Sequence, residues 1–170
     1  HGQYRTISQD EFLPECNNTS NDDNDNQYDR ASTAVVVHFC HDAFERCQVM
    51  DAHLKQLALT YLECKFIRIL AEKAPFFVDK LAIGQTLPVL LVFQQGKLVN
   101  RLVGFTGLLP ESADADKLET WRLAKWLAQA GAIRNYKGPQ GEERDAMLEL
   151  KAAARKTTVY RGGVRGDQEQ

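Results

Sequence analysis

Val35-Val36-Val37-His38-Phe39-Cys40, the loop His41-Asp42-Ala43-Phe44, and Glu45-Arg46-Cys47-Gln48-Val49-Met50-Asp51-Ala52-His53-Leu54 form the stretch on which the fold turns. Val35 to Phe39 is a continuous run dominated by β-branched residues, of the kind that fills a buried parallel strand. The period then changes. Met50, Leu54, Leu57, Ala58 and Tyr61 recur on one face at helical spacing, so residues 45–62 are expected to form an amphipathic helix. A buried strand leading through a short loop into a helix opens a parallel crossover, provided another strand follows.

One does follow. Lys65-Phe66-Ile67-Arg68-Ile69-Leu70 reads as a second strand. Glu72 to Leu81 reads as a short helix with Pro75 near its first turn and Phe76, Phe77 and Leu81 as apolar anchors. Pro88 then precedes a hairpin made of Val89–Phe93, a turn at Gln95-Gly96, and Leu98–Val103. Asp116 to Gln129 reads as a last helix, with Leu118, Trp121 and Leu127 on its apolar side and Trp126 as a second packing anchor. Upstream, residues 7–16 suggest a helix, because Ser8 and Glu11 have capping-box spacing and Phe12 and Leu13 supply an apolar side. The order is helix, then β-α-β-α-β-β-α: an α/β domain with a mixed central sheet and helices on both faces. Between these elements, residues 17–33 are rich in Asn and Asp and too polar to offset their ordering entropy, so they read as a mobile acidic insertion loop. Residues 137–170 form a charged tail, flexible or partly helical. Within it Glu142 to Lys156 could form a solvated helix, and Arg161-Gly162-Gly163-Val164-Arg165-Gly166 is only a faint echo of an RNA-binding segment.

Bulk properties narrow the function classes. The 170 residues carry 21 basic and 23 acidic side chains, a net charge of -2, where a nucleic-acid binder would be strongly basic. No apolar run approaches the roughly 18–20 residues that span a bilayer, so neither nucleic acid nor membrane is an expected partner. The four cysteines, at 16, 40, 47 and 64, lack the density of a secreted disulfide framework and read as reduced thiols of the cytosol or nucleus. The chain opens at His1 without a methionine, which we read as a missing upstream segment.

The opening stretch resembles the strand, active-site loop and helix of thioredoxins. Thr86-Leu87-Pro88-Val89, Gly96-Lys97 and Val103-Gly104 resemble that fold's cis-proline segment, hairpin turn and following glycine. The likeness is greatest to the phosducin-like branch of these proteins. It is carried by Gly2-Gln3-Tyr4-Arg5-Thr6-Ile7, His38-Phe39, Arg46-Cys47, Met50-Asp51-Ala52-His53-Leu54, Ala71-Glu72-Lys73-Ala74-Pro75-Phe76, Val103-Gly104-Phe105-Thr106 and Trp121-Arg122-Leu123. The resemblance implies a thioredoxin-like domain over residues 2–136. It also implies a cytosolic co-chaperone that binds the ring-shaped chaperonin which folds actin and tubulin, needs no cofactor, and resides in the cytoplasm or nucleus. Two rival functions stand beside it: a single-cysteine redox protein, and a phosducin-like regulator binding G-protein βγ subunits.

The same alignment defines the candidate site. A thioredoxin cycle needs an exposed attacking thiol at a helix start and a second thiol three residues on to resolve the mixed disulfide. Phe44 stands where the attacking thiol belongs and Cys47 where the resolving one belongs. Cys40 takes the place of a tryptophan, and His38 that of a buried aspartate. No residue is therefore assigned as catalytic. Cys47 is left with three readings: a structural or partner-contacting thiol, a lone redox thiol favoured by the helix start and Arg46, or a disulfide partner of Cys40. His38, Cys40, His41 and Cys47 suggest a metal cluster, which we set aside because successive strand side chains face opposite ways. Leu87-Pro88 is expected to be cis and to bound a groove. His41, Phe44, Glu45, Arg46 and Pro88 are the candidate partner contacts.

Overall fold

The structure, a computed structural model, describes residues 2–17, 33–138 and 142–161. The acidic stretch 18–32 and the glycine-containing segment from residue 162 lie outside the described residues. Contacts divide the chain into two units, His1–Tyr136 and Lys137–Gln170.

The first unit is built on five strands: β1 (Tyr4–Ile7), β2 (Val35–Cys40), β3 (Lys65–Leu70), β4 (Val89–Gln94) and β5 (Lys97–Val103). Their order across the sheet is β1-β3-β2-β4-β5. β1 and β2 both run parallel to β3, β4 is antiparallel to β2, and β5 is antiparallel to β4. The mixed sheet expected from the sequence is thus present, with β2 at its centre and buried along its whole length. Gln95 and Gly96 close the hairpin with φ of 51° and 74°, the two-residue turn whose twist suits the flanking strands.

Strand alternation sends the side chains to two cores. Val36, Phe66, Leu90, Val92 and Leu102 meet α2 (Glu45–Thr60) and α4 (Thr120–Gln129) through Met50, Leu54, Leu57, Leu123 and Leu127. On the opposite face, Val35, Val37, Phe39, Ile67, Ile69 and Leu91 meet α1 (Phe12–Cys16) and α3 (Pro75–Lys80) through Phe12 and Phe77. Phe12 and Phe77 touch at 4.2 Å between ring centroids. Each fully buried Phe, Leu or Met contributes about 1.5–3 kcal/mol relative to exposure, so the two cores dominate the stability of this unit.

Three expectations need correction. The amino-terminal helix is shorter than residues 7–16: Tyr4–Ile7 is a strand, Gln9–Glu11 a 3₁₀ turn, and the α-helix starts only at Phe12. The strand exists because it pairs with Phe66–Ile69 of β3, a long-range partner that local spacing cannot reveal. Phe76 is no anchor; it is 57% exposed, whereas its neighbour Phe77 is buried. The last helix of the unit begins at Thr120, with Ala115–Lys117 a separate 3₁₀ turn and Leu118 and Glu119 extended between them.

The second unit contains α5 (Glu142–Arg161), which runs five residues beyond the expected Lys156. Leu148 and Leu150 on it are exposed. Among the described residues no helix is long and apolar enough to cross a membrane.

Candidate functional site

The β2–α2 loop places the site at the carboxyl end of the central strand. Phe44 is the cap residue of α2 in an extended conformation, and its carbonyl receives the amides of Cys47 and Gln48 at 3.1 Å each. Its ring is 42% exposed and stacks on His41 at 4.6 Å with an interplanar angle of 22°. His41 is buttressed in turn: its Nδ1 accepts the Ala43 amide at 3.1 Å and its Nε2 lies 3.6 Å from Glu72. The loop therefore displays a supported aromatic pair.

Both thiols of the site lie beneath that surface. Cys47 is 1% exposed and Cys40 fully buried; they pack with Leu70 and Leu87 in a small cluster of their own. Cys47 Sγ accepts the His41 amide at 3.5 Å. Burial pushes its pKa up, and that one hydrogen bond offsets the effect only in part. The Cys40 thiol is pushed by burial to about 12, although the Arg68 guanidinium opposes the shift. All four cysteines are free thiols, so the Cys40–Cys47 disulfide is not formed in this structure. Arg46, expected to favour a Cys47 thiolate, turns its guanidinium over the Phe105 ring at 4.9 Å.

A polar network sits under the loop. The Tyr4 hydroxyl donates to Asp51 Oδ1 at 2.5 Å. His38 Nδ1 lies 2.8 Å from the Tyr4 oxygen and 3.0 Å from Asp51 Oδ1, a geometry satisfied when Nδ1 carries the proton. Arg68 Nε adds a third donor to the same carboxylate at 3.2 Å. Burial acts to raise the Asp51 pKa, but the His38 and Tyr4 hydrogen bonds outweigh it and hold the group below its ordinary value. His38, fully buried, is held below its ordinary value by desolvation. Its Nε2 is buried without a partner among the described residues and so is hydrogen-bonded to neither cysteine.

The sequence profile of the phosducin family matches residues 15–126. The chain belongs to the phosducin family. It is 38% identical to thioredoxin domain-containing protein PLP3B of Arabidopsis thaliana over 84% of this chain and 54% of that one. It is 38% identical to phosducin-like protein 3 of Dictyostelium discoideum over 78% and 62%, and 34% identical to human thioredoxin domain-containing protein 9 over 81% and 53%. The chain thus spans between half and two thirds of the length of these curated relatives. Among solved structures it is similar to spinach chloroplast thioredoxin f in its short form, with a TM-score of 0.55 at 18% identity, covering 76% of this chain and 95% of that one. Thioredoxin NaTrxh from Nicotiana alata gives 0.54 at 20%, covering 75% and 91%. Those likenesses establish the thioredoxin fold.

Within this phosducin-family domain the Leu87–Pro88 peptide is cis. Pro88, however, is buried, with its carbonyl accepting the Gly104 amide at 2.7 Å. That burial sets it apart from the exposed candidates and corrects its place among the partner contacts. Phe44, Glu45 and Arg46 are exposed and His41 partly so. The reason given against a metal cluster also needs correction, since His38 and Cys40, two apart on β2, share a sheet face. No group of three potential ligands is assembled among the described residues. Sequence reasoning missed Tyr4, Asp42, Asp51 and Arg68 as members of the site. An arginine inside the otherwise apolar run of β3 was the signal that could have found them.

Proposed function

We propose that the chain is an adaptor of the co-chaperone type, which regulates chaperonin-assisted folding of actin and tubulin in the cytoplasm by protein–protein contact and without a dithiol redox cycle. One observation carries this reading. An exposed phenyl ring occupies the helix start from which a thiolate would attack, while both nearby thiols are buried and hard to ionise. Resolution of a mixed disulfide needs a second accessible thiolate, and the site supplies none. What it does supply is an aromatic anchor on a supported loop, the type of residue that dominates protein interfaces. The chaperonin and its cytoskeletal clients are proposed as the partner class on the resemblance to the phosducin-like branch.

The test is capture of the purified cytosolic chaperonin by the chain, its Cys47→Ser variant and its Phe44→Ala variant, alongside an insulin-disulfide reduction assay. Equal capture by wild type and Cys47→Ser, with a loss of about 1–2 kcal/mol for Phe44→Ala, supports the adaptor. Reductase turnover that disappears in Cys47→Ser would establish a single-thiol enzyme. Capture of G-protein βγ subunits in place of chaperonin would establish the phosducin-like regulator.

A further inference from the structure

The network beneath residues 41–44 has a single guanidinium at its centre. Arg68 on β3 stands in register with His38 on β2 and with Thr6 on β1. Its Nη1 donates to Thr6 Oγ1 at 2.9 Å and its Nε to Asp51 Oδ1 at 3.2 Å. Its Nη2 donates to Cys40 Sγ at 3.1 Å and to Asp42 Oδ1 at 2.7 Å. One planar fork thereby joins β1, β2, α2 and the loop. The Arg68 side chain is 16% exposed and that of Asp42 66%, so an exposed loop carboxylate is tied to a mostly buried charge. The Asp42 carbonyl is held separately by Gln48 Nε2 at 3.0 Å.

We propose that Arg68 is a positioning residue for recognition: it fixes the 41–44 loop and so presents the Phe44 ring to a partner protein. The recognition half of this inference rests on the adaptor reading above. The physical reason is pre-organisation. A loop ordered during folding does not lose that conformational entropy when a partner docks, so more of the contact energy appears as affinity. Lysine could not substitute, because a point charge on a flexible stem lacks the planar fork that reaches four acceptors at once. Asp42 anchors one side of the loop. The His41 amide on Cys47 Sγ anchors the other, and His41 carries the stack with Phe44.

The experiment uses the full chain as wild type, Arg68→Lys, Asp42→Asn, Phe44→Ala and the Arg68→Lys/Phe44→Ala double variant. Asp42→Asn perturbs the same pair from its exposed side and stands in if Arg68→Lys fails to fold. Two quantities are read: amide hydrogen exchange at Ala43 and Phe44, and affinity for purified cytosolic chaperonin. Arg68→Lys and Asp42→Asn should each speed exchange at those amides about tenfold while Leu90 and Leu91 of β4 keep their protection. Each should also weaken binding about three- to tenfold. In the Phe44→Ala background, Arg68→Lys should weaken binding no further, because its effect passes through that ring. Unchanged exchange at Ala43 and Phe44 overturns the positioning role. A full additional binding loss in the double variant overturns its action through Phe44. If wild type does not bind chaperonin, the adaptor reading and the recognition half fall together, and exchange alone judges the loop.

Discussion

Replacing a thiol by a phenyl ring at residue 44 changes what the start of α2 offers to solvent, from a nucleophile to a flat apolar contact. The neighbouring replacement of an acid by His38 has a different consequence, since this imidazole is fully buried and its Nε2 finds no partner among the described residues. Desolvation holds its pKa below the ordinary 6.5, so the unfolded chain takes up the proton first as pH falls. The stabilisation from keeping His38 neutral is therefore complete above pH 6.5 and declines as pH drops below that value toward the folded pKa. His53, half-buried and hydrogen-bonded to Thr120 Oγ1 at 2.7 Å, is shifted in the same direction by desolvation and adds to the slope. Urea midpoints measured from pH 8 to 5 should fall with acidification in wild type, and His38→Gln should flatten that fall. An equal slope in the two proteins would show that His38 does not contribute to it.

At the scale of elements, two junctions make specific demands on sequence. The helix α3 ends in a Schellman motif, with the Ile83 amide on the Val78 carbonyl at 2.8 Å and the Ala82 amide on the Asp79 carbonyl at 3.1 Å. Ala82 takes a φ of 52° there, a left-handed conformation in which a Cβ is costly and glycine is not. Ala82→Gly should raise stability by about 0.5–1 kcal/mol despite the greater freedom of glycine in the unfolded chain. A loss of stability in equilibrium unfolding would contradict this assignment. The second junction ties α1 to the sheet edge. Glu15, with 7% of its side chain exposed, pairs with Arg5 of β1 and Lys65 of β3. Removing a buried partner strands the remaining charges, so Glu15→Ala should cost about 2–4 kcal/mol, somewhat below the full buried-pair range because Arg5 is partly solvated. Amide exchange at Tyr4–Ile7 should rise more than at β4, because β1 is the edge strand that this pair secures.

Across the whole molecule, both core clusters are composed of residues between Ile7 and Ile133. The unit Lys137–Gln170 contributes α5, whose Leu148 and Leu150 are exposed. A chain ending at Tyr136 should therefore fold on its own and unfold in a single cooperative transition, because it retains both cores. A broad, non-cooperative melt by calorimetry would contradict this. The fold was legible along much of this length because the informative patterns are local. Val35–Phe39 gives a strand, Met50 to Tyr61 a helical face, and Gln95-Gly96 a hairpin turn. The site was legible only in what it lacks, through Phe44. Its positive content, the Tyr4–Asp51–His38–Arg68 network, joins residues up to 64 positions apart, and no local period records such a meeting.

The amino-acid sequence by itself determined the α/β order of elements from Val35 onward and the absence of a second thiol three residues from Cys47 on its amino-terminal side, while its resemblance to thioredoxins pointed to the fold family. The first two follow from periodicity and residue chemistry, which act between near neighbours. Only tertiary structure decided that Tyr4–Ile7 is a strand, that Pro88 is buried, that Phe77 is buried while Phe76 is not, and that Arg68 pairs with Asp42 of the loop. Each of those depends on which distant segment occupies the adjacent space, because burial and hydrogen-bond partnership are settled by packing across the sheet.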